Sequence, residues 1–211
     1  REEIYASDHP MVLATKNNIA QVYASEERYG EAISLFETVI REYCENSTED
    51  SAFLAAVYDN LSTAYREMER YEDAIDICTE GLNIRKNIYG KRSLDYAISL
   101  NNLALIYYEM GILNNAADIF SEALAIKKET LPEIHGQISI GYFNLGLVYD
   151  KLHRDNEALE NYRASMEIDN ELEAYEDVLL TAEYIAEIYE RNDMPEDAEA
   201  YRTLCSKDDV H

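Results

Sequence analysis

Tryptophan is absent from the chain, and proline and glycine are scarce, at three and seven of 211 residues. Proline and glycine both weaken helix interiors, so their rarity fits a chain that is helical nearly throughout. Cysteine is sparse too. Cys44, Cys78 and Cys205 are odd in number and far apart, and no pair has metal-ligand or redox spacing. A reducing compartment suits them, and a cytoplasmic protein is expected. No apolar run is long enough to span a membrane.

Positive charge is also in short supply. Lys and Arg number 18 against 43 Asp and Glu, a formal net charge of −25. Nucleic-acid phosphates and anionic lipid both need Lys and Arg, so neither is an expected partner. The field favours a basic partner through steering. Most of the carboxylates are nevertheless expected on solvated helix faces, where they keep a protein soluble. A Gly-rich phosphate loop is missing, as is any Ser/His/Asp or Cys/His set, and His9, His135, His153 and His211 are scattered. No enzyme activity, metal or cofactor is expected. His9 and His135 fall in linkers just before expected first helices, where capping or surface roles are common.

Against these absences stands a repeat. Asn17-Asn18-Ile19-Ala20-Gln21-Val22-Tyr23 returns as Asp59-Asn60-Leu61-Ser62-Thr63-Ala64-Tyr65, Asn101-Asn102-Leu103-Ala104-Leu105-Ile106-Tyr107, Phe143-Asn144-Leu145-Gly146-Leu147-Val148-Tyr149 and Glu183-Tyr184-Ile185-Ala186-Glu187-Ile188-Tyr189. The spacings are 42, 42, 42 and 40 residues. A fixed period in this range marks a repeat array. Each Tyr is preceded at three residues by a small side chain (Ala20, Ser62, Ala104, Gly146, Ala186) and followed at nine by Ala32, Ala74, Ala116, Ala158 or Ala198. Four further on stand Phe36, Cys78, Phe120, Tyr162 and finally Arg202. Small residues at fixed places let helices approach, and large ones fill the gaps between them.

This order of Leu, small residue, Tyr, Ala and aromatic resembles the tetratricopeptide repeat family over nearly the whole chain. The longer unit, with Asp8-His9-Pro10-Met11-Val12 leading into the first string, is similar to the kinesin light chain type. The resemblance implies an all-α, right-handed solenoid of about five helix–turn–helix repeats in one array over residues 1–211. Residues 1–8 are expected to end a preceding repeat, because Ile4-Tyr5 stands before Asn18 as Ile88-Tyr89 stands before Asn102. Repeats one to four are expected at 9–46, 51–89, 93–131 and 133–172, and a fifth repeat or cap at 174–206. Ser51 is placed to cap a helix, Gly90 to stop one, Gly111 to turn between two, and Pro10 and Pro195 to start helices.

On the third repeat's first helix, Leu100, Leu103, Ala104 and Tyr107 share a core stripe, whereas Ile98, Asn101, Asn102, Leu105 and Tyr108 share another. The resemblance puts the second stripe on a concave groove. Asn18, Asn60, Asn102 and Asn144 would then be rungs of a ladder, each amide offering a donor and an acceptor to a peptide backbone. The alternative is that each Asn bonds its neighbouring helix and only sets repeat geometry. Asn17, Asn101 and Arg66 accompany the ladder, while Leu105, Tyr108, Phe143 and Leu147 offer an apolar pocket for a partner's hydrophobic side chain. Phe143 and Leu147 could equally pack against the neighbouring repeat. The groove lacks the Lys with which chaperone-tail readers grip a carboxylate, and Asp59 is expected to repel one, which argues against chaperone-tail recognition; the acidic groove argues likewise against the acidic cargo of kinesin light chains.

The function expected is therefore a protein–protein interaction module that binds an extended peptide, basic or hydrophobic, of a partner protein. Two other classes remain open: a peptide-sensing regulatory domain of a larger signalling protein, and an array that weakly self-associates through its N-terminal face.

Overall fold

The computed structural model describes residues 10–47 and 51–205, without the Cys205 side chain. Residues 1–8, expected to end a preceding repeat, and His9 lie outside the described residues. Ten α-helices account for nearly all of the rest. They divide into two compact units, one ending at Met110 and the other beginning at Gly111.

The first unit holds α1 (Pro10–Ser25), α2 (Tyr29–Asn46), α3 (Ala52–Glu67), α4 (Tyr71–Tyr89) and α5 (Leu94–Glu109). Consecutive helices pack as antiparallel neighbours, and α3 touches both α1 and α5, so the three first helices stand side by side. The second unit holds α6 (Leu113–Thr130), α7 (Gly136–Lys151), α8 (Asp155–Glu171), α9 (Tyr175–Arg191) and α10 (Pro195–Cys205). Here α7 pairs with α8 and α9 with α10, while α6 packs on α7 and α8 on α9.

The signature positions explain the hairpins. Ala20, Ala32, Phe36, Ala74 and Cys78 in the first unit are fully buried, as are Ala158 and Tyr162 in the second. Gly146 shows why its position is small. A Cβ there would lie 2.5 Å from the Tyr162 ring. In contrast, Arg202, at the last aromatic place, is exposed and pairs with Glu190.

Each turn repeats one geometry. Four residues after the Tyr, the backbone enters the left-handed region: Glu27 (φ 60), Glu69 (φ 57), Gly111 (φ 76), His153 (φ 56) and Asp193 (φ 56). In four of them the next N–H reaches back to the Tyr carbonyl, from Arg28, Arg70, Arg154 and Met194, each at 2.9 Å. This is a Schellman closure, which satisfies carbonyls at the helix end. Where that next residue is Arg, its guanidinium lies over the same Tyr ring: Arg28 over Tyr23 at 4.2 Å, Arg70 over Tyr65 at 4.4 Å and Arg154 over Tyr149 at 4.5 Å. Each Arg then pairs with an acid three residues on, Glu31, Asp73 and Glu157.

Helix starts follow the sequence with one adjustment. Ser51 and Ser93 accept from Leu54 N–H at 3.0 Å and Tyr96 N–H at 3.2 Å. The fourth repeat, expected from residue 133, starts its first helix at Gly136, where His135 Nδ1 accepts the Gln137 N–H at 3.0 Å and caps it. Gly90 (φ 81) ends α4.

Candidate functional site

The ladder residues divide by environment. Asn17 is buried, and its Oδ1 accepts from Asn60 Nδ2 at 3.2 Å, tying α1 to α3. That bond is the architectural alternative, realised at one rung. Asn18 is exposed and Asn102 half-buried, and neither side chain has a hydrogen-bond partner among the described residues. Asn101, Leu105 and Tyr108 are half-buried on α5. Arg66 is held by Glu67 at 2.5 Å and by Glu109 of α5 at 3.5 Å.

In the second unit, Asn144 is buried on α7. Phe143 and Leu147 are half-buried against the core formed by α7, α8 and α9. The Phe143 ring meets Tyr162 at 5.6 Å and Tyr184 edge-on at 5.4 Å, and those two tyrosines stack at 5.5 Å. Phe143 thus packs against the next repeat while keeping one side towards a cleft between α7 and α9.

Asp59 departs from expectation. It is not a bare groove carboxylate. Its Oδ2 lies 2.5 Å from Arg85 Nη2 of α4, with the two side chains only 13% and 11% exposed. Arg85 Nη1 also donates to Ser99 Oγ of α5 at 2.5 Å. Burial pushes the Asp59 carboxyl up, against the opposing pull of Arg85 and Ser99. The repulsion expected of Asp59 is therefore largely neutralised by its own ion pair.

The charge missed in the sequence lies on these seams between hairpins. The position of Arg85 in the repeat is taken by Lys127 and then by Asp169. Lys127 is 1% exposed, and burial lowers its pKa. Asp169 is 5% exposed. Its Oδ2 accepts from Ser165 Oγ at 3.3 Å, and Ser165 shares a 2.9 Å hydroxyl contact with Ser139. Burial first, then nearby Asp177, raise the Asp169 pKa, and the two serines oppose them. A cleft of about 220 Å³ opens beside it, lined by Ser139, Phe143, Asp177, Leu180 and Thr181 among others.

Models of the tetratricopeptide repeat match residues 12–46, 53–129 and 141–172, together more than half of the chain. The chain belongs to the tetratricopeptide repeat family. No curated protein matches it by sequence. Its tetratricopeptide repeats are similar in fold to BtubC (BKLC) from P. vanneervenii, at 20% identity and a TM-score of 0.83, over 95% of this chain and 83% of that one. They are also similar to the nearly identical, kinesin light chain-like TPR-like repeats of Podosopora anserina, at 19% identity and a TM-score of 0.80, over 96% and 99% of the two chains. A third likeness is the Rap conjugation gene regulator of plasmid pLS20, solved in complex with the Phr* peptide. Its identity is 17% and its TM-score 0.72, over 96% of this chain and 56% of that one. These likenesses make the fold an all-α solenoid class with repeats of the kinesin light chain-like kind. Among the described residues, no helix is long and apolar enough to cross a membrane.

Proposed function

We propose that the chain is a protein–protein interaction module whose first-helix faces bind an extended peptide segment of a partner. In the first unit Asn18 and Asn102 engage the peptide backbone, with Asn60 between them, Asn17 and Asn101 beside them, and Arg66, Leu105 and Tyr108 at the edges. In the second unit Asn144 with Phe143 and Leu147 does so. The observation that carries this reading is that the amides of Asn18 and Asn102, on helices that stand side by side with α3, have no hydrogen-bond partner among the described residues. An amide can accept from a peptide N–H and donate to a peptide C=O, which suits a ligand held by its backbone. Family membership supports an interaction role over catalysis. A peptide bound by a protein of the same fold, the Rap regulator, supports the peptide and gives weight to a second reading, a peptide-sensing regulatory domain.

The test is an array of random acetylated dodecapeptides probed with the wild-type chain, followed by titration of the retained peptides against Asn102→Ala. Losing two neutral hydrogen bonds costs about 2 kcal/mol, or roughly tenfold or more in affinity. The reading requires that loss with an unchanged melting temperature. Unchanged affinity, or an empty array, contradicts it.

A further inference from the structure

The same seam is built twice with opposite chemistry. In the first unit a cation from the second helix, Arg85, fills the junction of α3, α4 and α5, meeting Asp59 at 2.5 Å and Ser99 at 2.5 Å. The repeat period carries Arg85 to Asp169, Asp59 to Phe143 and Ser99 to Thr181. All three residues line the cleft of about 220 Å³ at the junction of α7, α8 and α9. A long guanidinium side chain has been replaced by a short carboxylate, and an open cleft stands beside it. The carboxylate is 5% exposed, and no Lys, Arg or His among the described residues pairs with it. Buried carboxylates ordinarily have a cationic partner.

The rim has its own character. Ile140, Leu172 and Leu180 at the mouth are 47%, 43% and 45% exposed. An apolar entrance leading to a buried carboxylate and two hydroxyls matches an aliphatic stem that ends in a charge. Ser165 already donates to Asp169 Oδ2, so both carboxylate oxygens are not free for the two-pronged fork of a guanidinium. A compact ammonium with three donors suits the remaining lone pairs and the Ser139 and Ser165 hydroxyls better.

We propose that the Asp169 cleft between α7 and α9 is an anchor site for a lysine side chain of the partner peptide, which takes the place that Arg85 fills from within the first unit. This rests on the peptide-binding reading above and specifies the chemistry of its second-unit contact. The acidic chain, at −25, draws such a basic segment in by long-range attraction.

The test uses the same array of random acetylated dodecapeptides. Retained peptides are expected to share a lysine at one register. Lys→norleucine in the peptide keeps the stem and removes the charge, and should weaken binding at least tenfold. Asp169→Asn in the protein preserves the shape and the Ser165 contact, and should weaken the lysine peptide at least tenfold while leaving the norleucine peptide unchanged. If peptides bind without a lysine preference, or bind Asp169→Asn equally, the anchor is wrong and peptide binding stands. If nothing is retained, both fall. Should Asp169→Asn misfold, the norleucine comparison on the wild-type chain decides the matter alone.

Discussion

Arg85 and Asp59 meet at 2.5 Å in a seam where both side chains are nearly buried, and Ser99 of the next hairpin completes the contact. Removing one partner leaves a charge with neither water nor counter-ion. Asp59→Asn is therefore expected to destabilise the chain by about 3–5 kcal/mol. The double variant Asp59→Leu/Arg85→Met removes both charges and should cost much less. Urea unfolding of the two variants measures the difference, and equal losses would mean that the pair is not energetically coupled.

Gly146 is small because Tyr162 occupies the space its side chain would need, 2.5 Å from an added Cβ. Alanine normally stabilises a helix interior by about 1 kcal/mol over glycine. Here the buried ring cannot yield without disturbing Phe143 and Tyr184. Gly146→Ala is expected to lower stability by about 1–3 kcal/mol, the usual cost of overpacking. A rise in melting temperature would show that the Tyr162 ring moves freely.

The hairpin turns place non-glycine residues in the left-handed region at four of five repeats. Glu69, at φ 57, is exposed. Glu69→Gly relieves a left-handed strain of about 1–2 kcal/mol and loses roughly half of that to unfolded-chain entropy, for a net gain of about 0.5–1 kcal/mol. Gly111→Ala should cost about 1 kcal/mol by the same reasoning. Thermal melts of both variants check the opposite signs.

Cys78 is buried and its thiol is pushed up to about 12, chiefly by burial, while Cys44 is exposed. The thiolate is the reactive form. In a Cys205→Ser background at pH 8, a thiol reagent should modify one cysteine in the folded chain and a second only after denaturant is added. Two rapid equivalents in the folded chain would contradict the packing of Cys78 between α3, α4 and α5.

Much of the fold was legible in the sequence because a period exposes packing. Ala20 and Phe36, or Gly146 and Tyr162, recur at fixed offsets only when the same two helices meet each time. The Tyr–Arg clasp at the turns was missed, although Arg28, Arg70 and Arg154 keep the same 42-residue beat over one and two periods. Its sign was an Arg five residues after three of the five signature tyrosines. The role of Asp59 was not legible, because its partner comes from α4, 26 residues on, and helix phase alone cannot show which third element closes a seam. The Asp169 cleft was hidden for a related reason. A carboxylate at a cationic position is visible in the sequence, whereas the space beside it appears only when α7, α8 and α9 are packed.

The first helices, and not the second, are proposed to carry the peptide. Amide hydrogen exchange of the chain, with and without a peptide retained on the array, tests it most directly. Slowed exchange in α1, α3 and α5 of the first unit and in α7 and α9 of the second is the predicted result. Protection confined to α2, α4, α6, α8 and α10 would contradict it.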